Sequence, residues 1–527
     1  MGERASAAGS VTLTGRDLTL ADVAHIARDG YTATLDPAAR ERMAASRRTV
    51  EELVAAGQPV YGVTTGFGKL ATERIDPADA DRLQQNLLVS HAVGVGPTHD
   101  AQAVRAMLLL RANTLARGQS GCRPEVVERL LDLLNAGIHP QVPEQGSVGA
   151  SGDLAPLAHL ALPLIGRGRA EVDGEVVDGA TALAKRGLTP LSLTAKEGLA
   201  LLNGTQQMTA VGVLALLEAE SLLATATVAA AMSTEALLGT DVAFSAVYQK
   251  ARPHPGQARI AAQLRGLLRD SALMRSHQAL PHKVQDPYSI RCVPQVHGAV
   301  GDALGYVRGV LEIEVNSATD NPLVFPDGAD VDPAAAATGG GKVVSGGNFH
   351  GEPIALAMDF LAIAIAEVGS ISERRIAQLI DGRSSGLPMF LVEHAGLNSG
   401  LMLFQYTAAA LVSENKVLAH PASVDSIPTS ADQEDHVSMG PIAARKARDV
   451  VRNASTVVAL ELLCAAQGID FRTAGGLTPG VGVAAAHRRV REQVAHLEDD
   501  RDPQPDIAAA QALVRHGKLA DLVSGID

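Results

Sequence analysis

Residues 146–162 read GSVGASGDLAPLAHLAL, and the triplet Ala150-Ser151-Gly152 inside them can react with itself. If the amide nitrogen of Gly152 attacks the carbonyl carbon of Ala150, a five-membered ring closes. Loss of water there and from the Ser151 side chain leaves an exocyclic methylene. The attack needs a strained approach of residue i to i+2, for which a residue without Cβ at 152 and a small one at 150 are suited. The product, a 4-methylidene-imidazol-5-one, is an electrophile of a kind that ordinary side chains lack. The simpler account is a glycine-rich loop feeding a helix, with Ser151 or Asp153 as N-cap. For an isolated Ala-Ser-Gly that account would usually win.

Other chemistries fail on spacing. The nucleophile elbow G-x-S-x-G lacks its last glycine at both 149–153 and 118–122. H-E-x-x-H is absent, and the sixteen histidines show no metal-ligand spacing. The run Gly339-Gly340-Gly341-Lys342 is followed by Val343 where a phosphate loop needs Ser or Thr. Neither a metal nor a nucleotide is expected. A formal charge of −13 argues against nucleic-acid binding, which needs clustered Lys and Arg. Cys122, Cys292 and Cys464 lie far apart, as in a chain of the reducing cytoplasm.

The elements that must position the triplet read as helices. Aromatic residues are only 3% and Trp is absent, so the core must be Ala, Leu and Val, which favours close-packed helices. Thr19 with Asp22 marks a capped helix over 19–27, and helical spacing runs through 104–116 and 124–135. RAEVDGEVVDG at 169–179 predicts a hairpin turning at Asp173-Gly174. Long helices are expected at about 196–239, 294–316, 351–381, 399–418 and 440–467. The uncharged runs 198–217 and 394–413 carry Asn, Gln and Gly, and so read as core helices, not membrane spans. Residues 327–349 read as a surface insertion. The expected organisation is mainly α: an N-terminal lobe (1–195) containing the short β-hairpin, a central bundle of long helices (196–480) and a C-terminal helical segment (481–527).

Eight blocks in order then give the chain a resemblance to the aromatic amino acid ammonia-lyases, over nearly its whole length. They are YGVTTGFGKLA (61–71), NLLVSHAVGVG (86–96), GSVGASGDLAPLAH (146–159), LLNGTQ (201–206), VQDPYSIRC (284–292), SGGNFHGEP (345–353), GSISERR (369–375) and HPASVDSIPTSADQEDHVSMG (420–440). The resemblance implies that the triplet does cyclise, and that the fold is the long-helix bundle of that family. In such a reaction the β-proton is weakly acidic and the amine leaves poorly; a covalent electrophile remedies the second problem. A base must meet the first, and Tyr61 matches the family's catalytic tyrosine. A free phenol has a pKa of about 10, so acting near neutrality requires about 4 kcal/mol in favour of phenolate.

On spacing, Asp286 and Pro287 suit the N-cap and first position of a helix that puts Tyr288 and Arg291 on one face. Arg291 alone reads as a surface salt-bridge residue; the resemblance makes it the clamp on a substrate carboxylate, a role suited to its forked donors. By the same resemblance Asn203 contacts that carboxylate, Gln285 and Tyr288 line the pocket and orient the cofactor, and Phe349 packs beside it. Substrate choice rests on Glu434 and His91. Members acting on phenylalanine or tyrosine typically carry Gln at the position of Glu434, whereas a carboxylate can accept from an imidazole N–H. The resemblance thus implies a cytoplasmic homotetramer, with active sites shared among subunits, that converts the small-molecule substrate L-histidine to trans-urocanate and ammonia. It implies no membrane or nucleic-acid partner. The alternatives are a tyrosine or phenylalanine ammonia-lyase or 2,3-aminomutase of the same family, and a catalytically silent helical scaffold.

Overall fold

A computed structural model describes residues 9–57, 65, 75, 79–277, 284–326 and 342–526. By internal contacts the chain divides into two units, each assembled from three stretches. The first comprises Met1–Leu214, Gly309–Met358 and Ala422–Arg445; the second comprises Ala215–Arg308, Asp359–Pro421 and Lys446–Asp527.

In the first unit several helices start where side chains can satisfy free backbone N–H groups. Thr19 and Asp22 form a reciprocal capping box on Leu20–Arg28, Asp36 caps Pro37–Ala55, and Asp100 caps Ala101–Ala116. Each cap of this kind contributes about 1 kcal/mol. Ala101–Ala116 packs against Leu20–Arg28 and Pro124–Asn135 and is buried on nearly all sides. Arg105 crosses to the carbonyls of Ile26, Tyr31 and Leu134, answering C-terminal oxygens of both neighbours. The hairpin forms as expected: Arg169–Val172 pairs with Glu175–Asp178, and both turn residues, Asp173 (φ 54°) and Gly174 (φ 78°), take the left-handed conformation of a two-residue turn.

The expected helix over 196–239 is in fact two. Glu197–Leu202 ends at Asn203, in extended conformation, and Gln206–Ala236 begins afresh. The cause is Gly204, whose φ of 151° no helix accommodates. Of the surface insertion expected at 327–349, residues 327–341 lie outside the described residues; at its far end Val343–Val344 pairs antiparallel with Leu323–Val324.

In the second unit Arg375 and Glu461 form a fully buried ion pair, with Arg375 Nη2 donating to Glu461 Oε2 at 2.8 Å. Ser233 Oγ donates to the same carboxylate at 2.7 Å. The pair therefore sets the register of three helices, those spanning 206–236, 352–380 and 440–473; desolvation offsets most of its direct contribution to stability. These three helices are long and apolar enough to cross a membrane by composition, yet 67% to 78% of their most apolar windows is buried inside the protein.

Candidate active site

The chain around the triplet is bent at two glycines. Gly149 (φ 71°) and Gly152 (φ 74°) are both left-handed, the region closed to most side chains. A Cβ at 152 would overlap the carbonyl oxygen of Gly204, and one at 149 would overlap Ser438 Oγ. Gly152 and Gly204 form an isolated parallel bridge, and the Asp153 N–H donates to Gly204 O at 2.7 Å. The break in the long helix therefore has a use: it lays a side-chain-free backbone against Gly152.

Asp153, one of the two N-cap candidates for the helix that follows it, makes no side-chain bond there. It is fully buried and caps the other helix instead, Oδ2 accepting from the Gln207 and Met208 N–H groups at 2.7 and 3.1 Å. Burial pushes its carboxyl up to about 7, against those two bonds and the attraction of Arg111. Since an unfolded Asp titrates near about 3.9, the native state holds the extra proton between the two values, and this group's contribution to stability falls as pH rises from about 4 to about 7. Asp153→Asn keeps an acceptor for the helix start and removes that titration. The drop in Tm between about pH 5 and about pH 8 should be smaller in Asp153→Asn than in the parent; equal drops in calorimetry would count against this account.

Ser151 is half-buried and its hydroxyl donates to Glu434 Oε1 at 2.9 Å. Thr429 Oγ1 donates to the other oxygen at 2.8 Å. Glu434 is presented by a tight turn in which Ser430, Ala431 and Asp432 all have positive φ, at a cost of about 1–2 kcal/mol each. Backbone bonds between Thr429 and Glu434 close the turn. The following strand of chain is fastened to the triplet's own loop, Met439 N–H donating to Val148 O and Ser438 Oγ to Gly149 O. Ala150 packs in a small apolar cluster with Val437 and Met439.

His91 ends the helix Ala80–His91, with Nδ1 2.8 Å from Leu87 O. Burial lowers its pKa, countered by that bond and by the charge of Glu434. The imidazole is thus neutral near pH 7, Nδ1–H donating and Nε2 left as an acceptor. Asn203 is buried; its backbone oxygen accepts from Arg111 Nη1 at 2.7 Å, while Oδ1 has no partner among the described residues. Phe349 is half-buried in a turn closed by His350 N–H on Gly347 O.

Gln285, Tyr288 and Arg291 belong to the second unit. Here the N-cap is Pro287, one residue later than expected, and the helix is only Tyr288–Arg291. Asp286 points elsewhere and accepts from Thr240 N–H at 2.7 Å. The shared face is as expected: the Arg291 guanidinium lies 4.6 Å over the Tyr288 ring, which is 70% exposed. Arg291 Nε is buried without a partner among the described residues. Tyr61 lies outside the described residues. A cavity of about 400 Å³ in the second unit, lined by Phe404, Arg491, Arg501 and Asp506, borders none of these groups, and its arginines are already paired with Asp470 and Asp506.

Sequence reasoning therefore missed Gly204, Thr429, Ser438 and the true role of Asp153. The Asn203-Gly204 dipeptide, a turn signal inside a helical pattern, was the available clue to the first.

The residues fit a methylidene-imidazolone at 150–152: the bends sit at glycines, Gly152 has no room for a side chain, and the Ser151 hydroxyl is held by a carboxylate. A mainly helical chain with a bent, glycine-flanked Ala-Ser-Gly under a carboxylate defines a class. The chain belongs to the aromatic amino acid lyase family, whose model matches residues 18–492. It is 54% identical over 514 residues to a histidine ammonia-lyase of Gloeobacter violaceus, covering 97% of each chain. Among solved structures it is similar to histidine ammonia-lyase from Trypanosoma cruzi (44% identity, TM-score 0.88, 98% of this chain and 95% of that one). It is also similar to tyrosine aminomutase from Streptomyces globisporus (39% identity, TM-score 0.89, 98% and 99%).

Proposed function

We propose that this chain eliminates ammonia from L-histidine to give trans-urocanate, using a 4-methylidene-imidazol-5-one formed from its own Ala150-Ser151-Gly152. The observation that carries the reading is the Ser151 hydroxyl on Glu434, 2.9 Å apart, in a chain bent at Gly149 and Gly152. The cyclised group supplies an electrophilic alkene for the substrate amine, making it a better leaving group. The chain's other residues bind, orient and move the proton. Arg291 and Asn203 hold the carboxylate, Arg291 through its fork and Asn203 through its side-chain amide N–H. Tyr61 takes the β-proton. Gln285 and Tyr288 line the pocket, and Phe349 packs against the ring.

Glu434 and His91 select the substrate. Loss of the Ser151 hydroxyl on cyclisation takes away the donor to Glu434 Oε1, leaving that oxygen to accept from a substrate imidazole N–H. Phenylalanine offers no such donor. Glu434→Gln should lower kcat/KM for histidine by roughly ten- to a hundredfold, the value of about 1.5–3 kcal/mol for a hydrogen bond to a charged group. The decisive assay incubates the protein with histidine, tyrosine and phenylalanine in parallel and follows the ultraviolet absorbance of the conjugated acid. Turnover of tyrosine without histidine would transfer the assignment to the tyrosine-acting alternative.

The active form is a cytoplasmic homotetramer. Leu403, Tyr406 and Val417, all on one helix, are 58–73% exposed, an apolar surface that other copies would cover. Cys122 and Cys464 are buried free thiols, as suits a reducing compartment. Light scattering of the purified chain measures the assembly.

A further inference from the structure

Arg111 sits in the middle of the buried helix Ala101–Ala116 with no exposed surface. Its Nη1 donates to Asn203 O at 2.7 Å and to Gln206 Oε1 at 2.8 Å, gripping the two sides of the helix break. Gln206 is held in turn, Nε2 donating to Thr319 Oγ1 at 2.8 Å and Thr114 Oγ1 at 3.1 Å. Gly204 lies between: a Cβ there would stand 2.6 Å from Arg111 Nη1, and its carbonyl oxygen backs Gly152 and accepts from Asp153. The Nε and Nη2 of Arg111 have no hydrogen-bond partner among the described residues. Burying a guanidinium with two donors unmet is costly, and an apolar side chain would fill a helix core at lower cost. The carboxylates of Asp320 and Asp153 act on it electrostatically.

We propose that Arg111 is a positioning residue for cofactor formation: by holding the Asn203-Gly204 segment it presses the Gly204 carbonyl against Gly152 and keeps the Gly152 nitrogen in reach of the Ala150 carbonyl. The inference rests on the reading that 150–152 cyclises. In that reaction the Gly152 nitrogen bonds to the Ala150 carbonyl carbon, whose oxygen leaves as water with the amide protons of Gly152 and Ser151. The Ser151 hydroxyl then leaves as a second water with its Cα proton, and no oxidant is needed. Arg111→Lys keeps the charge but replaces the planar guanidinium, whose Nη1 meets both acceptors, with a shorter ammonium of different geometry.

The test takes freshly synthesised full-length chain, folded, and follows intact mass with time alongside Tm. Arg111→Lys should fold with nearly the parent Tm and lose its two waters at least about tenfold more slowly, because misplacement of reacting groups costs rate steeply. Its kcat, corrected for the matured fraction, should stay close to the parent's. Folded Arg111→Lys maturing at the parent rate overturns the inference. Should Arg111→Lys not fold, Gln206→Asn, which withdraws the second acceptor from Nη1, is judged by the same comparison. A parent protein that loses no water at all would instead sink the functional reading itself.

Discussion

Ser151→Ala is expected to release no measurable ammonia from histidine, with turnover down at least about 10³-fold, while the chain folds normally. The side chain's one hydrogen bond is to Glu434, a half-buried carboxylate that keeps Thr429 as donor and can take water for the other oxygen, so stability should hardly change. What disappears is the second dehydration. Without a hydroxyl at 151 an exocyclic alkene cannot form, and every remaining residue is left arranged around an ordinary backbone. Mass spectrometry separates this from an indirect effect: the parent should be about 36 Da, two waters, lighter than its sequence, and Ser151→Ala should not reach that loss. Turnover by Ser151→Ala within tenfold of the parent would eliminate the cofactor from the mechanism.

Gly152→Ala should do more damage, because it strikes fold and chemistry together. The left-handed φ of 74° costs an alanine about 1–2 kcal/mol. Its Cβ would also overlap Gly204 O, which cannot retreat: Asp153 N–H holds that oxygen and Arg111 grips the residue before it. Overpacking against backbone adds about 1–3 kcal/mol, so the variant should melt many degrees lower and retain neither the water loss nor activity. Gly174→Ala, at a left-handed turn with open space around it, is the matched control and should cost only the backbone term. If both variants melted alike and both matured, the close approach of Gly204 would have no functional meaning.

The helical architecture was legible because its signals are local. Thr19 with Asp22, Pro124 at a helix start and Asp173-Gly174 at a turn each act through neighbours three or four residues away, and the structure has them where spacing put them. The triplet was legible for a similar reason: the atoms that would form the ring are consecutive, so residue types alone announce the possibility. The long helix over 196–239 misled because its apolar run continues straight through Asn203-Gly204, and periodicity cannot see a single glycine held at φ 151° by contacts from elsewhere.

By itself, then, the amino-acid sequence determined which elements form, which tripeptide can become an electrophile, and which family these residues match. Only the tertiary structure decided that Asp153 caps a helix starting more than fifty residues away, that Gly204 backs Gly152, that Glu434 reaches Ser151 from 283 positions on, and that Arg111 grips the break. Those are contacts between groups far apart in the chain, and all but the half-buried Ser151–Glu434 pair lie in the core. The buried ones are specified by the cost of leaving a donor, an acceptor or a charge unmet there, and that cost exists only once the chain has folded.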